Sequence, residues 1–182
     1  IGGGTDTYLV KFDSNGNRLW ATYYGDTGND NLPGVATDIS GNVYLAGHTT
    51  SAAGIASVGF QNTIGGGTDA FLVKFDGNGN RLWSTYYGGA GNEIAGAPDR
   101  HENVATDNLG NVYLCSTTTS TLGIASGGFQ NTLAGTFDAF LVKFDASGNR
   151  ICATYYGGTT DDFGEGIDVD INGSIYVSGE TN

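Results

Sequence analysis

One stretch occurs three times in near-copy. It runs from Asp6 to Gly25 as DTYLVKFDSNGNRLWATYYG, from Asp69 to Gly89 as DAFLVKFDGNGNRLWSTYYGG, and from Asp138 to Gly158 as DAFLVKFDASGNRICATYYGG. Self-similarity of this kind restricts a chain to repeat architectures, in which each unit buries its apolar surface against its neighbours. The second interval between copies is longer than the first. Its extra residues fall in one place, around Ala95 to Asn103 (AGAPDRHEN).

Each copy reads as a strand, a tight turn and a second strand. In DTYLVKFD, Tyr8, Val10 and Phe12 share one face, and Leu9 and Lys11 the other. Apolar residues on both faces predict a sheet covered on both sides. The run ends at Asp13-Ser14-Asn15-Gly16. Asp first and Gly fourth mark a type I turn, with Gly in the left-handed region. The same pattern closes a second hairpin, between a short run Gly34 to Asp38 (GVATD) and Asn42 to Thr49 (NVYLAGHT). It recurs at Asp38-Gly41, Asp76-Gly79, Asp107-Gly110, Asp145-Gly148 and Asp170-Gly173. A loop, GDTGNDNLP, precedes GVATD, and a longer one from about Thr50 to Thr68 holds Gly59-Phe60-Gln61-Asn62-Thr63, repeated as Gly128-Phe129-Gln130-Asn131-Thr132.

Two hairpins per unit predict an all-β chain of four-stranded antiparallel β-propeller blades. The strand order from the inside out is GVATD, NVYLAGHT, DAFLVKFD, RLWSTYYG. Both Asp-x-x-Gly turns then lie on one face and the longer loops on the other. A parallel β-solenoid or an array of small sandwiches is the rival, but a solenoid has no place for two tight hairpins per repeat. The order GVATD-x-x-GNVYLAG, GFQNT, GGGTDAFLVKFD and STYYGG resembles the bacterial SBBP β-propeller repeat over essentially the whole chain. That resemblance implies a propeller of a large secreted or cell-surface protein and supplies no catalytic residues.

The repeats begin at 6, 69 and 138, and residues 1–182 read as a partial propeller. An outer half-blade stands at the N-terminus and an inner half-blade at the C-terminus. Three blades by count are too few to close a ring, which commonly takes four to eight. Further blades, from the same or another chain, are therefore the expected partner.

The formal net charge is −12. Such a surface repels phosphate backbones, so nucleic acid is not an expected partner. No apolar run reaches the length of a transmembrane helix, and membrane insertion is not expected. Gly is abundant at 32 residues, but 10 Tyr and 9 Phe argue against disorder. Cys115 and Cys152 stand where other copies have Ala46 and Trp20 or Trp83. They lie outside the common scaffold and read as free thiols rather than as a disulfide.

The chain carries no nucleophile elbow, phosphate loop or dinucleotide fingerprint. Asp13 to Asn17 and Asp76 to Asn80 resemble a calcium loop superficially. Gly falls too early for an EF-hand, however, and the turn reading covers every copy. The loops after TYYG are acidic at Asp26, Asp30, Glu93, Asp161, Asp162 and Glu165. They could hold Ca²⁺, but on an acidic protein they read first as solvated loops. The Tyr pairs (Tyr23-Tyr24, Tyr86-Tyr87, Tyr155-Tyr156) recur in every copy, which favours packing between blades over glycan stacking. His48 reads as packed at a strand end.

The insert contains Asp99, Arg100, His101 and Glu102 in succession, the local candidates for a binding site, although consecutive residues do not converge on one substrate atom and read first as a solvated surface loop. Neither a metal nor a cofactor is expected. The expected function is a non-enzymatic extracellular or cell-surface propeller segment, structural or adhesive, that presents a loop-rich face to protein or glycan. The alternatives are a propeller lyase or hydrolase of polysaccharide and a calcium-binding surface module.

Overall fold

The structure is a computed structural model that describes residues 2–94 and 103–182. It is built from antiparallel sheets, and no described residue is helical. Strands β1 (Thr7–Phe12) and β2 (Arg18–Tyr24) form a two-stranded hairpin. Strands β3 (Asp30–Thr37), β4 (Val43–Thr49), β5 (Asp69–Phe75) and β6 (Arg81–Tyr87) form a four-stranded sheet in the order β3-β4-β5-β6. This is the predicted order of a blade.

The next blade repeats that order. Its strands are β7 (Glu93–Ile94), β8 (Val104–Thr106), β9 (Val112–Thr118), β10 (Asp138–Phe144) and β11 (Arg150–Tyr156). Strands β7 and β8 both pair with β9, along the same edge. They are two pieces of one innermost strand. A last hairpin, β12 (Asp162–Val169) with β13 (Ile175–Thr181), forms a separate two-stranded sheet.

All six Asp-x-x-Gly turns form. Gly16, Gly41, Gly79, Gly110, Gly148 and Gly173 have φ between 80° and 87°, where a Cβ is disfavoured. Each Asp carbonyl accepts from the N–H of its Gly. The Asp carboxylates accept from the backbone N–H groups two and four residues on, as Asp13 does from Asn15 and Asn17. Asn17, Asn42, Asn80, Asn111 and Asn149 add their side-chain amides.

The inner strand is longer than the run GVATD suggests. Strand β3 starts at Asp30, four residues earlier, inside the stretch that reads as loop. Its register shifts between Asn31 and Gly34. The bulge accommodates Pro33, which has no N–H to give to a ladder. Strand β12 shifts at the corresponding place, between Gly164 and Gly166. In the middle blade the same place holds the insertion that separates β7 from β8.

The core lies between successive blades. Tyr44, Leu72, Trp83 and Tyr87 of one sheet bury against Val112, Leu114, Phe140 and Phe144 of the next. Every residue of β5 is buried, so the sheet is covered on both sides as its sequence predicts. A polar lock repeats at two of the junctions. Lys74 Nζ and Trp83 Nε1 both donate to the Ala146 carbonyl in the outer turn of the following blade, at 3.0 and 3.1 Å. Lys11 and Trp20 do the same to the Gly77 carbonyl, at 2.9 and 3.1 Å. Lys74 also pairs with Asp38 at 3.8 Å and lies 5.1 Å from the Tyr44 ring centroid. Innermost strands of adjacent blades touch, and Thr106 donates its hydroxyl to the Thr37 carbonyl at 2.8 Å.

Candidate functional site

The loop-rich ends of the sheets hold a repeated carboxylate cradle. A carboxylate stands six residues after the second Tyr of each pair, at Asp30, Glu93 and Asp162. Asp30 and Glu93 are buried, not solvated. Asp30 accepts from the hydroxyls of Thr49 and Ser51 and from the Asp26 N–H. Glu93 accepts from Thr118 at 2.7 Å, from Ser120, and from the Gly89 N–H at 3.0 Å. Gly158 N–H serves Asp162.

A second set, Asp69 and Asp138, caps the return of the long loops. Asp69 accepts from Gln61 Nε2 and from the N–H groups of Gly65 and Gly66. Asp138 accepts likewise from Gln130, Ala134 and Gly135. The Gly after the Tyr pair fits between the two sets. A Cβ at Gly88 would come within 2.1 Å of Glu93 Oε2 and 2.7 Å of Asp69 Oδ1. Burial pushes the carboxyls of Asp69 and Glu93 above the usual range, and for Glu93 the nearby Asp69 charge adds to the effect. These oxygens are engaged by protein donors, so the cradle braces loops to strands. The Thr-x-Ser pairs at Thr49–Ser51 and Thr118–Ser120 are the sequence signal for it.

The turn carboxylates are engaged in the same way. The Asn17 side-chain amide holds the Asp13 carboxyl below its usual range, and Asn80 does the same to Asp76. Among the described residues, no group of three or more His, Cys, Asp or Glu could hold a metal ion. Cys115 and Cys152 are free thiols, the first buried and the second half-buried. Burial raises the Cys115 thiol to about 12, which leaves it unreactive. His48 lies on β4, half-buried and opposite Asn31 and Ala70.

Four Tyr of the pairs pack between and within blades, whereas Tyr23 and Tyr156 are exposed. Tyr86 and Tyr155 donate to the Ser51 and Ser120 carbonyls of their own long loops, each at 2.8 Å. Tyr24 and Tyr87 reach across to the next blade, donating to the Ile55 and Ile124 carbonyls.

Asp99, Arg100, His101 and Glu102 lie outside the described residues. Their attachment points are described. The insertion leaves β7 at Ile94 and rejoins the sheet at Asn103, whose carbonyl accepts from the Cys115 N–H at 2.9 Å. Both attachment points therefore lie along the β9 edge of the sheet. The Asn103 side chain is buried at its foot, and its Oδ1 has no hydrogen-bond partner among the described residues. A recess of about 650 Å³ lies elsewhere, between β10–β11 and β12–β13, and is lined by Phe129, Phe140, Tyr156 and Val177 among others.

Two comparisons bear on this geometry. The SBBP β-propeller repeat family matches residues 19–53 and 153–182. An uncharacterized WD repeat-containing protein of Acanthamoeba polyphaga mimivirus is 31% identical over 124 residues, which is 64% of this chain and 8% of the relative. The chain thus spans a small part of that relative's length. Both matched segments run through the Tyr-pair and Asp-x-x-Gly elements that build the blades, so these two stretches are similar to β-propeller repeats of the SBBP type.

Proposed function

We propose that this chain is a non-enzymatic propeller segment of an extracellular or cell-surface protein, and that it binds a protein or glycan through the insertion at residues 95–102. The observation that carries the reading is where the insertion sits. It is the largest departure from the repeat, and it interrupts the innermost strand at the point where β3 and β12 have only a small bulge. Loops on a rigid scaffold are where binding residues concentrate. Asp99, Arg100, His101 and Glu102 give that insertion both signs of charge and several hydrogen-bonding groups. The buried carboxylates Asp30, Asp69, Glu93 and Asp138 are engaged by structural donors, which favours a scaffold over a catalyst.

The test is a binding and turnover screen against neutral and acidic glycans. It compares the chain with a variant in which residues 95–102 are replaced by the Leu-Pro pair found at 32–33. Binding lost in the variant, without turnover in either protein, is the expected result. Turnover that disappears with His101→Ala and Glu102→Ala would replace this reading with that of a propeller enzyme acting on polysaccharide.

A further inference from the structure

Two buried carboxylates meet where the β3–β6 sheet joins the β7–β11 sheet. Asp69 opens β5, and Glu93 opens β7. Both are fully buried. A Cβ built on Gly88 would fall against Glu93 Oε2 and Asp69 Oδ1 together, so the two oxygens converge on one point with no side chain between them. The arrangement recurs. The Gly25 position lies against Asp6 Oδ1 and Asp30 Oδ2, and the Gly157 position against Asp138 Oδ1 and Asp162 Oδ2.

Each carboxylate of the Asp69–Glu93 pair is also tied to a loop. Asp69 Oδ2 accepts from Gln61 Nε2 at 2.9 Å and from the Gly65 N–H at 2.8 Å, and Oδ1 accepts from the Gly66 N–H at 3.0 Å. These donors belong to the long loop that leads into β5. Glu93 Oε1 accepts from the Thr118 and Ser120 hydroxyls, where the next long loop begins, and Oε2 accepts from the Gly89 N–H. The Glu93 N–H in turn donates to the Thr68 carbonyl at 2.8 Å. The pair thus stands between the end of one long loop and the start of the next.

Among the described residues, every hydrogen-bond donor to the pair is a neutral amide or hydroxyl. The titratable groups that face it are tyrosines. Tyr86 of β6 feels the charge of Asp69, and Tyr87 of β6 and Tyr155 of β11 feel that of Glu93. Burial raises all three hydroxyls to about 12, so they stay neutral while carboxyls titrate. Asp26, Asp30 and Asp138 act on the same tyrosines and add only negative charge. The nearby cations are turned elsewhere. His48 stands opposite Ala70, on the other face of the sheet from Asp69. Arg150 lies over the Phe60 ring, and Lys74 pairs with Asp38. Two like charges this close, in a buried place with neutral donors, repel each other when both are ionised.

We propose that Asp69 and Glu93 form an acid-responsive latch, in which one proton taken up from solvent by the pair couples the long loop before β5 to the long loop after β9. The inference rests on the geometry of this junction and not on the binding role proposed above. Burial, joined by the Asp69 charge, pushes the Glu93 carboxyl above its usual range, and burial does the same to Asp69. The protonated pair favours the folded junction. The latch is therefore closed on the acid side. It opens as the pH rises through the raised values, when repulsion between the two carboxylates acts on both loop anchors.

The test is an NMR titration of the side-chain carboxyl carbons in the unaltered 182-residue chain. Amide exchange at Gly65, Gly66 and Gly89 is followed over the same pH range, relative to an unstructured chain. The two carboxyls should titrate in linked steps, the upper one above the usual carboxylate range, and protection of the three amides should fall about tenfold across it. Glu93→Gln and Asp69→Asn each remove one charge and keep an acceptor oxygen for the loop donors. Each should move the titration of the remaining carboxyl down by about one pH unit and abolish the pH-dependent loss of protection. A carboxyl that titrates as before when its partner is neutralised overturns the proposal. So do linked steps that leave protection of the three amides unchanged, because the pair would then have no hold on the loops. That second outcome is read in the unaltered chain and does not depend on the variants folding.

Discussion

Gly79 stands over the indole of Trp20 across a blade junction, and a Cβ there would lie 3.0 Å from the ring atom Cδ2. Its backbone has φ 87°. Gly16 has nearly the same φ, 82°, with nothing within 4 Å of a built Cβ. The pair separates strain from packing. Gly16→Ala should cost about 1 kcal/mol, from backbone strain alone. Gly79→Ala should cost that plus a further ~1–3 kcal/mol, because the indole is fixed by its bond to the Gly77 carbonyl and cannot move freely. Urea unfolding of the two variants measures the difference, and equal losses would show that the indole yields.

Tyr87 and Tyr156 make a second matched pair. The Tyr87 hydroxyl is buried and bonds across to the Ile124 carbonyl, while the Tyr156 ring is exposed. Tyr87→Phe leaves that carbonyl only the long 3.5 Å bond from Arg150 Nη1 and should cost about 1 kcal/mol, or roughly 2–4 °C in melting temperature. Tyr156→Phe should leave the melting temperature unchanged. Thermal melts of both variants check the contrast.

The blades are legible in the sequence because two local rules repeat in every copy. Asp-x-x-Gly fixes six turns, and alternation in DAFLVKFD fixes the faces of the strands between them. The full length of β3 is not legible in the same way. Asp30 to Gly34 reads Asp-Asn-Leu-Pro-Gly, without apolar alternation, and its pairing with β4 is secured by hydroxyls of Thr49 and Ser51 far along the chain. The acidic loops mislead for the same reason. Asp30 and Glu93 look solvated until the donors that bury them are placed around them. The insertion is visible as a difference in repeat length, but its origin within an innermost strand follows from the shared pairing of β7 and β8 with β9.

Calcium should not stabilise this chain specifically. The turn and cradle carboxylates accept hydrogen bonds from backbone N–H groups, Asn amides or hydroxyls, and a cation would have to displace them. Melting temperatures in CaCl₂ and in NaCl of equal ionic strength should agree. A rise specific to Ca²⁺ would point to a site formed with the insertion, since ligand binding to the folded state raises stability by mass action.

Stability should peak in mildly acidic solution, because two sets of carboxyls titrate with opposite signs. Asp13, Asp76 and Asp145 have carboxyls held below the usual 3.8, chiefly by the side-chain amides of Asn17, Asn80 and Asn149. Their contribution is present above that value and is lost as the pH falls through their lowered values. Asp69 and Glu93 are raised by burial from the usual 3.8 and 4.5. Their protonated forms favour the folded state, so stability falls as the pH rises from those values through the raised ones. Self-repulsion among the charges behind the net −12 acts in the same direction. The melting temperature should therefore pass through a maximum in mildly acidic solution and decline on its alkaline side. Glu93→Gln removes one of the two raised groups and should flatten that decline while leaving the acid limb in place. A melting temperature that climbs steadily to pH 8 in the unaltered chain would mean that the buried carboxylates are better stabilised by their hydroxyl and N–H donors than they are penalised by burial.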